Sequence, residues 1–401
     1  MKKIAILVLA LLFVPVKFTN SMQQTRVIAE EIAHQEQSTI EEELEGEVFD
    51  RLSNLDFSEL ENALSALDDQ QIKFFQSQSF YSKVASVVDG SFSETGSFFS
   101  ALIALIFDDI LKLVPLISTI VAISVLCSFV SAMRSETNGK SVADVVHFVC
   151  YGVVIILLID ATKQCLELAS QTMSMMTKQI QAIMPVLLTL IMAVGGGTTV
   201  GVLQPTMALL CSLITTVFNN FILPIFIFSI VLSIVSNLTK TVKLEKFSSF
   251  LNSLFKWTIG ITFTVFSAFI SIQGISAGKF DGISYKTAKF TIKTAVPIVG
   301  GYLSDGFDLL AASTVLIKNA VGVAGLLMLA GTIIVPVVKI AIFSLCLKLL
   351  GAIIEPIGDN LTSNFVTSLS KSMPMLVGMI LGVSFVYMLS VGMLVMTANY
   401  V

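Results

Sequence analysis

The residues of this 401-residue chain best placed to do chemistry are charged groups set in apolar surroundings. Lys339 lies in Ile333-Ile334-Val335-Pro336-Val337-Val338-Lys339-Ile340-Ala341-Ile342, and Lys318-Asn319 interrupts another apolar run. Asp305 and Asp308 stand just before that second run, separated by Gly306 and Phe307. A charge at the centre of a bilayer costs about 3 kcal/mol on insertion scales, so it turns towards the bundle interior or water and takes a partner. One reading joins Lys339, Lys318, Asp305 and Asp308 into a polar pathway. The other has the lysines snorkelling from helix ends. The interior role is preferred for Lys339 and the ordinary helix-end role for the other three. Glycines and prolines form a second set: Gly195-Gly196-Gly197 after Pro185, Gly300-Gly301 after Pro297, and the isolated Pro224 and Pro336. The glycine clusters serve equally well as close-packing helix contacts or as elements of a pathway.

Covalent and metal catalysis find no support. The sequence holds no GxSxG, no HExxH and no Walker A loop, and no basic face with interleaved aromatics for nucleic acid. Cys127, Cys150, Cys165, Cys211 and Cys346 are scattered without a CxxC pair and read as small apolar packing residues. His34 and His147 share no metal-ligand spacing with any of them. The expectation is a chain without cofactor, metal or enzymatic activity, and without a nucleic-acid partner.

The elements that would position these groups are membrane helices. Hydrophobic residues make up 55% of the chain and charged ones 13%, with a mean hydropathy of +0.88. A soluble domain carries about 25% charged residues, so the bilayer is the solvent this composition suits. Charge is segregated. Residues 22–110 hold eighteen acidic and four basic residues, a net of −14, whereas residues 111–401 carry +7. Residues 1–21 read as a secretory signal, with Lys2 and Lys3 ahead of the apolar run Ile4 to Val16. Residues 22–110 then read as an acidic segment outside the cytoplasm. Phe49, Leu52, Leu55, Leu60, Leu64, Leu67, Ile72 and Phe75 recur there at amphipathic-helix spacing. The run Glu41-Glu42-Glu43-Leu44-Glu45-Gly46-Glu47 is read as a solvated face rather than a site for a basic partner.

Spans are expected from about Leu111 to Met133 and Val145 to Ile159, followed by a methionine-rich amphipathic stretch, Lys163 to Gln181, on the membrane surface or the bundle. Residues 111–182 thus form one unit. Ile183 to Val194 is only a dozen residues and ends in glycines, which suggests a re-entrant or discontinuous helix. Val202 to Phe218 and Phe221 to Val235 read as two runs joined at Asn219-Asn220. Lys240, Lys243, Lys246 and Lys256 then mark a cytoplasmic loop, which requires an odd number of prior crossings. Either residues 183–194 cross too, or two of the runs form one hairpin. The run Thr258 to Ile275 has a second basic stretch beyond it (Lys279, Lys286, Lys289, Lys293), and one crossing cannot satisfy both flanks. Leu309 to Leu329, Thr332 to Leu350 and Pro374 to Met396 complete the spans, with five residues beyond them and no soluble cassette expected.

An offset of 112 residues carries Pro185 onto Pro297, Pro224 onto Pro336, Ile222 onto Ile334 and Asn252 onto Asn364. The chain therefore reads as all-α, a polytopic helical membrane protein with an internal repeat, 183–292 and 293–401, of the kind that points to a transport-type core.

With these features in place the sequence resembles the stage III sporulation protein AE family of endospore-forming bacteria. The resemblance rests on Gly195-Gly196-Gly197, Leu223-Pro224 with Ser229 to Ser236, and Ile270-Ser271-Ile272-Gln273-Gly274-Ile275-Ser276-Ala277. It continues through Asp281-Gly282-Ile283, Lys286-Thr287-Ala288-Lys289-Phe290 and Leu316-Ile317-Lys318-Asn319-Ala320-Val321-Gly322. It implies a permease-like, multi-pass protein of the mother-cell membrane around the forespore. Its implied partners are the lipid bilayer, other stage III sporulation membrane proteins of one complex and, through them, a forespore membrane partner. Two functions stay open: a component of an intercellular channel or secretion apparatus, and a scaffold that assembles ring-forming partners without conducting.

Overall fold

The structure, a computed structural model, describes residues 46–75, 79–89, 95–133, 140–238, 245–295, 300–357 and 360–397. The expected signal at 1–21, most of the Glu41–Glu47 run and Pro297 lie outside the described residues, as do the side chain of Asp305 and the surroundings of Gly300 and Gly301. Every element among the described residues is helical. Four short helices come first: α1 (46–53), α2 (Ser58–Ser65), α3 (Asp69–Phe75) and α4 (Phe80–Val88). Long ones follow: α5 (Thr95–Met133), α6 (Lys140–Ala193), α7 (Gly197–Val217), α8 (Leu223–Leu238), α9 (Glu245–Ala295), α10 (Gly300–Ile354) and α11 (Asn360–Met396). Among the described residues, five stretches are long and apolar enough to cross a membrane: Phe99–Val130, Phe148–Ala193, Gly197–Ser236, Asp308–Ile357 and Asn360–Met396.

Cross-helix contacts fix the directions. Lys318 reaches Thr397, Ser344 reaches Ser370, and Ser363 reaches Gly351, so α10 and α11 form one antiparallel hairpin along their whole length. Gln179 meets Thr332, and Ile183 meets Gly325, so α6 also runs against α10. Ser128 of α5 donates to the carbonyl of Ile357, and Lys339 of α10 lies near Asp108 and Asp109 of α5, so these two helices run the same way. Phe263 stacks on Phe385, and Gly382 faces Ile259, which makes α9 parallel to α11. Ser229 meets Asn252 and Phe226 meets Phe255, so α7–α8 runs against α9 as α10 runs against α11. The middle is filled by Met373, Leu376, Phe365, Val321, Ala324 and Met328, all fully buried.

Three expectations change. The short segment 183–194 is the end of the 54-residue α6, in one piece with the methionine-rich stretch before it. Met173, Met176, Ile180 and Ile183 are buried in the common core, and that packing carries the helix through residues whose outer face is polar. The glycines after it are a helix stop. Gly195 has φ of 91°, its N–H bonds to the Met192 carbonyl, and the Gly196 N–H bonds to that of Ile191 at 2.9 Å. This is the Schellman arrangement, which needs a residue tolerant of the left-handed region. A Cβ on Gly196 would also stand 2.7 Å from the Ile191 carbonyl oxygen.

The runs expected on either side of Asn219-Asn220 belong to one continuous helix. A π turn at Phe218–Ile222 joins α7 to α8, with the Leu223 N–H reaching back five residues to the Phe218 carbonyl. Pro224 follows and has no N–H, and a local π turn absorbs such a break without ending a helix. Among the described residues, three stretches apolar enough to cross a membrane, in α5, α6 and the joined α7–α8, precede the lysine-rich stretch.

The amphipathic helices of the acidic segment are built into the bundle. Leu52, Leu60, Leu64, Leu67, Phe75, Phe80 and Val84 are buried in the same core as the long helices. The unit boundary expected at 110 falls inside α5.

Candidate functional site

The polar groups within the bundle follow from a backbone problem. A proline inside a helix removes the N–H that would bond the carbonyl four residues earlier, and the last four carbonyls of a helix have no intrahelical partner. In water such groups are hydrated; inside a membrane bundle each needs another donor.

Pro336 leaves the Thr332 carbonyl without its helix partner. Gln71 of α3 supplies one, its amide donating to that oxygen at 3.0 Å from a buried position. The Thr332 hydroxyl accepts from the Gln179 amide of α6 at 2.7 Å and donates to the Met328 carbonyl. α3, α6 and α10 are thereby tied at one level. α3 also comes close in backbone: a Cβ on Gly331 would meet the Gln71 carbonyl and the Phe75 amide at 3.4 Å. Pro374 acts in the same way on α11, and the Ser344 hydroxyl donates to the Ser370 carbonyl it frees, at 3.0 Å. Helix ends are closed likewise. Lys318, fully buried, donates to the Thr397 carbonyl at the foot of α11, and Ser363 donates to Gly351 near the end of α10.

These contacts decide where the sequence-predicted residues act. Lys318 neither snorkels nor joins Lys339; it closes the C-terminal end of a neighbouring helix. Asp308 pairs with Lys289 of α9, which gives the second basic stretch an acidic partner on α10. Lys339 is half-buried and lies about 30 Å along the axis from Lys318, at 1.5 Å per residue. Among the described residues no two of Lys339, Lys318 and Asp308 meet. Pro336 is buried, while Pro185 and Pro224 are exposed on α6 and α8.

Lys339 has partners that the sequence reading missed. Its charge acts on both Asp108 and Asp109 of α5. Asp108 accepts from Lys112 at 2.6 Å and from the Gln70 amide at 3.4 Å. Asp109 is buried, and its Oδ2 has no hydrogen-bond partner. The cluster joins α3, α5 and α10 beside a cavity of about 200 Å³ lined by Gln70, Lys73, Phe74, Ala101, Leu105 and Asp108. The adjacent Asp108-Asp109 pair at the edge of an apolar run was the available signal. It fell at the border drawn between the acidic segment and the first span.

Among the docked N-terminal helices, Lys83 of α4 is buried with its ammonium 5.7 Å from the centre of the Phe75 ring. Burial pushes its pKa below the ordinary lysine range.

The stage III sporulation protein AE family model matches residues 79–398. The stage III sporulation protein AE of Bacillus subtilis (strain 168) is 27% identical over 311 residues, covering 78% of each chain. No solved structure matches.

Proposed function

Because this chain belongs to the stage III sporulation protein AE family, we propose that it is the multi-pass membrane member of the complex that links mother cell and forespore during spore development. In this reading it resides in the mother-cell membrane around the forespore and assembles with other stage III membrane proteins and, through them, a forespore membrane partner. It acts there without catalysing a reaction. α1–α4 sit outside the cytoplasm. Three passages, α5, α6 and α7–α8, then bring Lys240, Lys243 and Lys246 to the cytoplasmic side, as the positive-inside rule requires.

The observation that carries a role in passage, beyond membership, is charge at membrane depth. Lys339 with Asp108 and Asp109 lies within candidate spans, where charged groups are costly and mark polar routes. A scaffold reading draws on a different observation, the close-packed centre of the bundle, where Phe365, Met373 and Tyr387 are buried. Reconstitution with its membrane neighbours separates the two. Passage predicts solute flux that depends on this chain; a scaffold predicts assembly of the partners with no flux. Normal sporulation in a deletion strain contradicts both.

A further inference from the structure

Two buried oxygens where α3, α5 and α10 meet lack a donor. Asp109 of α5 is 7% exposed, and its Oδ2 has no hydrogen-bond partner. Gln70 of α3 is in the same condition at its buried Oε1, while its amide nitrogen donates to Asp108 at 3.4 Å. Asp108 itself accepts from Lys112 at 2.6 Å. Lys339 of α10 acts on Asp109 by charge but supplies no donor to Oδ2. Oxygens withdrawn from water in this way call for N–H or O–H groups, and a carboxylate calls for positive charge as well.

Gln70 and Asp108 line a cavity of about 200 Å³ between α3 and α5. Leu105, one turn before Asp109 on α5, lines it too, so the Asp109 carboxylate stands at its edge towards α10. The mouth lies between Lys73 and Asp108, both exposed. Phe74, Ala101, Ala104 and Leu105 make the remaining wall, which is apolar. A water molecule takes about 30 Å³ in the liquid and seeks two to four polar partners, so water leaves that wall unmatched. A metal ion fits no better, because hard cations take about six oxygen ligands. Among the described residues no three His, Cys, Asp or Glu side chains gather in a way that could hold one. A primary ammonium group, in contrast, carries three donors and no acceptor. On a short hydrocarbon body it matches both the oxygens and the wall.

We propose that this cavity binds a small organic monocation, a primary ammonium compound with a short apolar body, which donates to Asp109 Oδ2 and Gln70 Oε1. Asp109 supplies the charge, and Lys73 at the mouth opposes a second positive charge on the ligand. This names the class of solute for the passage reading above and rests on it.

The test is thermal unfolding of the full-length protein in lipid nanodiscs, titrated with n-butylammonium chloride and, in parallel, with sodium chloride and n-butanol. A ligand that binds the folded chain raises its midpoint. Butylammonium should raise it saturably, and the other two should not. Asp109→Asn removes the charge and keeps the shape, whereas Ala101→Leu fills the cavity and keeps every charge. Each should weaken the apparent affinity at least about tenfold. No shift with butylammonium, or an equal shift with sodium chloride or butanol, overturns the proposal. Parental affinity in either variant overturns it too, and Ala101→Leu alone decides if Asp109→Asn fails to fold. Binding in a reconstituted complex that passes no amine would leave the site standing and refute the passage reading alone. Amine flux that neither variant alters would refute the site alone.

Discussion

Two polar regions of this bundle obey different rules. Inside, Gln71, Lys318 and Ser344 each meet a backbone carbonyl that a proline or a helix end has left without its donor. Their polarity is consumed by the fold. Outside, the face of α6 from Asp160 to Gln181 has no such debt to settle, and its groups bond along their own helix. Buried polar residues in a membrane chain therefore need not mark a route.

The largest way to break the inner region is to part the α10–α11 hairpin. A Cβ on Gly322 would overlap the Val395 side chain, so Gly322→Leu should cost about 3 kcal/mol, read as a lower midpoint in thermal unfolding of the detergent-solubilised protein. Next comes the charge cluster. Lys339→Leu leaves the buried Asp109 carboxylate without its α10 cation and should cost about 2 kcal/mol; Asp109→Asn in the same chain should recover most of it. Recovery failing in the double variant would remove the cluster from the inner set.

The Gln71 contact gives a sharper test because the gap it fills can be closed independently. Gln71→Ala should cost about 1–2 kcal/mol in a chain with Pro336, and markedly less with Pro336→Ala, which restores the N–H facing the Thr332 carbonyl. Equal costs in both backgrounds would refute the proline account. A smaller effect follows from Lys83. The folded chain holds its proton less tightly than the unfolded chain, so stability should rise with pH from below its depressed value up to the unfolded one near 10.4. Lys83→Met should flatten that alkaline slope. Smallest of all on stability is the exposed polar face of α6: Gln171→Leu should stay within about 0.5 kcal/mol of the parent.

Much of the helical plan is legible in the sequence, because an apolar run and its period are local properties. The apolar face at Leu52, Leu60, Leu64 and Phe75 is one example. Lys318 is a counterexample: read as an ordinary helix-end lysine, it is buried against the end of α11. What those faces meet is not local. Gln71 and Thr332 are 261 positions apart, and nothing in either neighbourhood names the other. The break expected at Asn219-Asn220 misled for a related reason: polar asparagines suggest a loop, yet a π turn lets Pro224 sit in a continuing helix. The polar face of α6 was visible as part of a methionine-rich amphipathic stretch. Only the burial of Met173, Met176 and Ile180 on its other side shows that it stands upright in the bundle.

The central claim is that the charge held by Lys339, Asp108 and Asp109 serves passage. The measurement that tests it most directly is solute flux through the reconstituted complex carrying Lys339→Leu together with Asp109→Asn, which removes both charges at once. The account predicts that flux falls at least about tenfold while the complex still assembles. Unchanged flux through the assembled complex would contradict it.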